Sequence, residues 1–97
     1  MSVWARNRRA LAQQALSHLD HDDYLNISRS MLLFGAEVRE LRLRRSLSQR
    51  RLAELAGLRE NYIGMVERGE CNISLIAVVA LARALHVKPA KLMAPIR

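Results

Sequence analysis

From residue 30 onward, apolar side chains recur at steps of three and four, the period of helices that turn one face to a common core. Ser30 is placed to cap a helix running to about Arg45, with Leu33 or Phe34, Val38 and Leu41 along one side. Ser48 caps a short second helix, Gln49 to Ala56, and Gly57 ends it because glycine accepts a positive φ without a steric penalty. A third helix fits Glu60 to Arg68, closed by Gly69. A fourth follows Ser74 through Leu85, with Leu75, Val78/Val79, Leu81/Ala82 and Leu85 as its apolar side. Pro89 suits the first turn of a last helix to Met93, and Pro95 stops it. No stretch shows the two-residue alternation of a half-buried strand. The pattern predicts an all-α fold.

Ahead of this region, Trp4 to Leu19 reads as an amphipathic helix, with Ala12, Ala15/Leu16 and Leu19 on one face and Arg6, Arg9, Gln13 and Ser17 on the other. The run Asp20-His21-Asp22-Asp23 is read as its end, since Asp competes with the helical backbone, and Tyr24 to Arg29 as a linker. Residues 1–30 therefore form an expected helical arm and linker, and residues 31–97 the main domain. A chain of 97 residues holds one small core plus such an arm, not two cores.

Charge narrows the choice of partner. The formal net charge is +7; residues 1–30 contribute +1 and residues 31–97 contribute +6. A basic helical domain is attracted to something negative. With 51% hydrophobic residues it is too apolar for a disordered basic tail. The single cysteine, Cys71, excludes an internal disulfide and a cysteine-built zinc site. No apolar run approaches the roughly 18 residues of a membrane span. The basic start, Met1 to Arg9, lacks the apolar middle of a secretory signal. A cytoplasmic protein is expected.

The most constrained stretch runs from Gln49 to Val66. Read as two helices and a tight turn, it has small Ala53 where the helix backbones cross, Gly57 at the reversal, and Leu52, Leu58, Ile63 and Val66 as the wedge between them. A short helix held outward from a basic domain matches a major groove about 12 Å wide. The same residue types also build an ordinary helical hairpin. Further matches lie in Phe34-Gly35, Arg39-Glu40-Leu41-Arg42, Leu47-Ser48-Gln49, Leu52-Ala53, Ala56-Gly57, Tyr62-Ile63, Val66-Glu67-Arg68-Gly69, Asn72, Ser74-Leu75, Leu81-Ala82 and Ala84-Leu85. In order and spacing these resemble the five-helix DNA-binding domain of Cro/repressor-type (XRE) helix-turn-helix regulators, over roughly residues 33–93. The run Asn72-Ile73-Ser74-Leu75, after Glu67-Arg68-Gly69, is most similar to the controller proteins of restriction–modification systems. The lack of a further domain after Arg97 is similar to them too.

The resemblance implies a sequence-specific transcription regulator that binds operator DNA as a homodimer. It puts Gln49 against a phosphate and the third helix in the major groove, with Arg59, Glu60, Asn61, Gly64, Met65 and Arg68 outward. Chemistry then pairs Asn61 with adenine, Glu60 with cytosine N4 and Met65 with a thymine methyl, while Arg59 and Arg68 suit a guanine edge or a phosphate. Arg50 and Arg51 read as backbone contacts or as a solvated face. Arg42 and Glu67 correspond to a pair that ties the first helix to the end of the third; a plain surface pair is the alternative. Leu75, Ile76, Val79, Leu92, Met93 and Ile96 are assigned to a two-fold interface. The chain departs from the family pattern at Arg59, usually a small hydroxyl cap, at Glu60, often basic or an amide, and at Gly64, often Ser.

No nucleophile, base and oxyanion set can be assembled, so no enzyme and no cofactor are expected. Cys71 beside Glu70 has no activating neighbour, and His18, Asp20, His21 and Asp22 read as a solvated turn instead of a metal site. A second reading keeps the DNA-binding domain but makes the protein an antitoxin, with residues 1–30 holding a toxin partner.

Overall fold

Each helix in the structure has an identifiable start, and four of them close in one way. The structure is a computed structural model that describes residues 20–97. Its helices are α1 (His21–Arg44), α2 (Gln49–Ala56), α3 (Glu60–Glu67), α4 (Leu75–Ala84) and α5 (Pro89–Met93), with no strand among the described residues. The fold is all-α. The expected helix from Trp4 to Leu19 lies outside the described residues.

The start of α1 differs from the sequence expectation. Asp20, not Ser30, caps the helix: its carboxylate accepts from the Asp23 N–H at 2.9 Å, and the Asp23 carboxylate accepts from the Asp20 N–H at 3.2 Å. This reciprocal box satisfies two amide donors at the helix N-terminus. Residues 24–29, read as a linker, are helical, and the division at residue 30 falls inside a continuous helix. Ser30 is no cap; its hydroxyl donates to the Asn26 carbonyl at 3.0 Å, one turn back. Ser48 and Ser74 do cap α2 and α4, accepting from Arg51 N–H at 2.9 Å and Ala77 N–H at 3.2 Å.

At the other ends, an amide five residues on returns to the last turn. These bonds run from Leu47 N–H to Arg42 O, Leu58 N–H to Ala53 O, Glu70 N–H to Met65 O and Val87 N–H to Ala82 O, at 2.9–3.1 Å. Such a closure needs one residue in the left-handed region. Gly57 and Gly69 supply it at φ of 69° and 70°, while Ser46 and His86 adopt it at 56° against their side chains.

The core is a single cluster. Phe34, Val38 and Leu41 of α1 meet Leu52 and Ala53 of α2, Ile63 and Val66 of α3, Val78, Leu81 and Ala82 of α4, and Leu85 and Leu92 beyond. At roughly 1.5–3 kcal/mol per fully buried aliphatic side chain, this burial is the main force assembling the helices. The closest approach is between α1 and α3. A Cβ on Gly35 would collide with the Val66 carbonyl oxygen and lie 2.9 Å from that of Glu67. Hence α3 rests its last turn directly on the α1 backbone.

Two substitutions test this reading by urea unfolding. Gly35→Ala should lower stability by about 3 kcal/mol, because the obstructing atoms are backbone and cannot rotate away. His86→Gly should raise it by up to about 1 kcal/mol, by relieving the left-handed strain. An unchanged midpoint for Gly35→Ala would contradict the close packing of α1 on α3.

Candidate nucleic-acid interface

The pair α2–α3 is held from behind by one buried polar cluster. Arg42, in the last turn of α1, donates from Nε to Glu67 Oε2 at 2.6 Å and from Nη2 to Glu67 Oε1 at 3.0 Å. Its Nη1 donates to the Leu47 carbonyl at 2.8 Å. Gln49, first in α2, donates from Nε2 to Glu67 Oε1 at 3.1 Å. The two charged side chains are only 10% and 3% exposed. The hydrogen bond it donates to Glu67 raises the Arg42 pKa above its ordinary value; burial opposes this, and the Glu67 charge adds to the rise. The cluster therefore joins the end of α1, the α1–α2 loop, the start of α2 and the end of α3.

Adjoining this cluster through Gln49, the residues Gln49, Glu60, Asn61, Gly64, Met65 and Arg68 line one shallow groove. These are six of the eight residues assigned to DNA from the sequence. Arg50 and Arg59 lie outside the groove but are exposed on the same two helices and their junction. Arg50 and Arg51 share Glu54, at 3.4 and 3.1 Å. Exposed pairs of this kind are worth under about 1 kcal/mol, so both cations can turn to another anion at little cost.

Arg59 is the N-cap of α3 and makes no side-chain capping bond. Glu60 sits in that first turn, where a carboxylate is favoured by the exposed amides and the helix dipole. Its presence thus has a structural reason apart from any base. Gly64 corrects the reading as a plainly outward position. It is buried in place, beneath Arg68 and Gln49, although it still forms the floor of the groove. Gln49 also does more than the sequence suggested, since one amide hydrogen is committed to Glu67. Sequence reasoning missed the Leu47 carbonyl entirely, because a backbone acceptor leaves no mark in residue type.

The residues assigned to a two-fold interface divide. Leu75 and Ile76 are 76% and 82% exposed, and Met93 is exposed as well. Val79 and Ile96 are half-buried. Leu92 is corrected: it is fully buried in its own core and unavailable to a partner. Leu75, Met93 and Ile96 instead share an apolar groove with Ile27 and Met31 of α1.

Cys71 and His86 do not meet. Cys71 packs on the core beside Tyr62, whereas His86 follows α4 beside Leu55 and Arg45. Burial pushes the Cys71 thiol up; the Tyr62 hydroxyl opposes this and the Glu70 charge reinforces it. Tyr62 is raised as well, chiefly by burial.

A helix pair clamped from behind, with an exposed polar and basic groove in front, is a helix-turn-helix. The family model described as Helix-turn-helix matches residues 38–92, and the chain belongs to this family of DNA-binding transcription regulators. Within it, the chain is similar to control protein C.SmaI of Serratia marcescens, with 43% identity over 61 residues, 63% of this chain and 73% of that protein. It is similar to control protein C.BamHI of Bacillus amyloliquefaciens, with 43% identity over 63 residues, 64% of this chain and 78% of that protein. The crystal structure of the restriction-modification controller protein C.AhdI from Aeromonas hydrophila aligns with a TM-score of 0.63 at 47% identity, covering 64% of this chain and 94% of that one.

Glu67→Gln should cost about 3 kcal/mol in urea unfolding, because it strands the buried Arg42 charge. A loss below about 1 kcal/mol would place the pair among ordinary surface contacts. For Cys71, a raised pKa means a neutral thiol in the folded chain. Its contribution to stability is full below the unfolded thiol pKa and lost as pH rises through the folded one. Alkylation of native Cys71 should accordingly set in at higher pH than in the urea-unfolded chain; coincident profiles would contradict this.

Proposed function

We propose that the protein is a homodimeric regulator that binds a two-fold symmetric operator and controls the genes of a restriction–modification system, doing no covalent chemistry. The observation that carries this reading is the convergence of Gln49, Glu60, Asn61, Gly64, Met65 and Arg68 on one exposed groove, fixed from behind by Arg42 and Glu67. Similarity to three controller proteins supports the choice of regulated genes. The partner is double-stranded DNA and the site of action cytoplasmic. No helix among the described residues is long and apolar enough to cross a membrane.

In this assignment α3 enters the major groove. Asn61 pairs with adenine, Glu60 accepts from cytosine N4, and Met65 touches a thymine methyl. Gln49 keeps one amide hydrogen beyond its bond to Glu67, and with the α2 amide terminus it faces a phosphate. Arg50, Arg51 and Arg59 supply charge along the backbone. The exposed apolar residues Leu75, Ile76 and Met93, with Val79 and Ile96 beside them, form the two-fold contact. That contact sets two α3 helices about 34 Å apart, one turn of DNA. Residues 1–30 are a candidate contact for a protein partner, as an antitoxin would need. The uncovered Leu25 and Ile27 on the first turns of α1 favour such a contact.

Fluorescence anisotropy on duplexes from the gene's own upstream region, beside scrambled duplexes, tests the assignment. Binding should be at least about a thousandfold tighter to the upstream duplex and should weaken steeply with salt. Asn61→Ala should remove sequence preference worth about 1–3 kcal/mol, whereas Arg50→Ala should weaken all duplexes alike. Equal weak binding of the wild type to both duplexes would overturn the regulator reading. Sedimentation of a monomer at all concentrations would overturn the dimer.

A further inference from the structure

The chemistry of Arg68 is set by two neighbours that the family comparison does not explain. Arg68 follows the last residue of α3, but its side chain folds back along the helix. A Cβ on Gly64, one turn earlier, would lie 3.0 Å from Arg68 Nη1 and 3.8 Å from its Cζ. The guanidinium thus packs against Gly64, where a side chain would displace it, in the groove shared with Asn61 and Met65. Glu70 holds it from the other side, Arg68 Nε to Glu70 Oε2 at 3.0 Å. Glu70 is itself fixed by backbone, since its N–H closes on Met65 O at 2.9 Å and Gly69 takes the left-handed turn before it.

We infer that Arg68 reads a guanine edge, with Gly64 as the slot that admits its guanidinium to the recognition face and Glu70 as the residue that positions it. This rests on the DNA-binding reading given above. The donor count supports guanine over phosphate. The guanidinium lies against Gly64 in the groove it shares with Asn61 and Met65, where an end-on pair of Nη donors matches guanine O6 and N7. A phosphate contact needs no such orientation and is weakened by a carboxylate 3.0 Å from the cation. Glu70 therefore costs the protein general affinity for DNA while biasing its arginine toward one direction.

The test is a duplex library randomised over about two helical turns, bound by the wild type and by Arg68→Lys, Gly64→Ala and Glu70→Gln. Individual duplexes from it are then measured by anisotropy. Wild type should show one G·C position per half-site at which substitution costs at least about fivefold. Arg68→Lys, which keeps the charge, should lose that discrimination and no other. Gly64→Ala should weaken it at the same position. Glu70→Gln should bind random duplexes more tightly while discriminating less there, a split that a merely structural residue would not produce. Positions 68 and 70 are exposed, so variants there remain folded, and circular dichroism checks this for them and for buried position 64. If Arg68→Lys keeps every preference and Arg68→Ala weakens all duplexes alike with a shallower salt slope, Arg68 is a phosphate contact and the inference fails. If the wild type itself selects no sequence, the underlying regulator reading fails with it.

Discussion

The placement of α2 and α3 depends on one buried guanidinium. Arg42 fills three of its donors with two groups, the Glu67 carboxylate and the Leu47 carbonyl, and these belong to the far end of α3 and the entrance of α2. Burying such a pair brings little net stability, because desolvation cancels most of the attraction. Its use is geometric. Apolar side chains fill space but tolerate sliding, whereas a bidentate carboxylate pair fixes both distance and direction. Gly35 completes the constraint by letting the α1 backbone touch the last turn of α3. Thus α3 is referenced to the longest helix of the domain at its C-terminal end, while its N-terminal end, lacking a side-chain cap, faces outward.

That division of labour explains which parts of the surface are left unfinished. The exposed residues of α2 and α3 make weak pairs with each other, such as Arg50 and Arg51 with Glu54, so they are readily redirected to a partner. The +6 carried by residues 31–97 supplies long-range attraction of the domain to a polyanion. Direction comes from the rigid frame, and attraction from the loose charges around it. The same separation applies on α4, where Leu81 and Ala82 belong to the core while Leu75 and Ile76 at its start are left to solvent.

Much of this was legible in the residues. Apolar spacing and the caps Ser48, Gly57, Gly69 and Ser74 predicted three helices to within a residue or two, since side chain and backbone there point to the same boundary, and Pro89 and Pro95 bounded the last. The start of α1 was misread because Asp20 and Asp23 suit a helix end and a helix start equally well by residue type; only the reciprocal bonds decide. Leu92 was assigned to a partner surface because α5 has five residues, too few for a period to show which side faces inward. Gly64 was read as an outward position, whereas it is buried against the side chains of Gln49 and Arg68, which no local pattern shows. Long-range polar partners such as Glu67 for Gln49 leave no local pattern, so they emerge only with the fold.

The central claim is that the Arg42–Glu67 pair orients α3 instead of merely stabilising the domain. The direct measurement is operator affinity of the double variant Arg42→Met, Glu67→Leu, made where thermal unfolding shows it fully folded. Apolar replacement of a whole buried pair is often neutral for stability, so the two effects separate. The account predicts a melting temperature near that of the parent chain with operator binding weakened at least about tenfold, while binding to scrambled duplex is kept. Unchanged operator binding in that folded variant would contradict it, and would leave apolar packing alone as what aims the recognition helix.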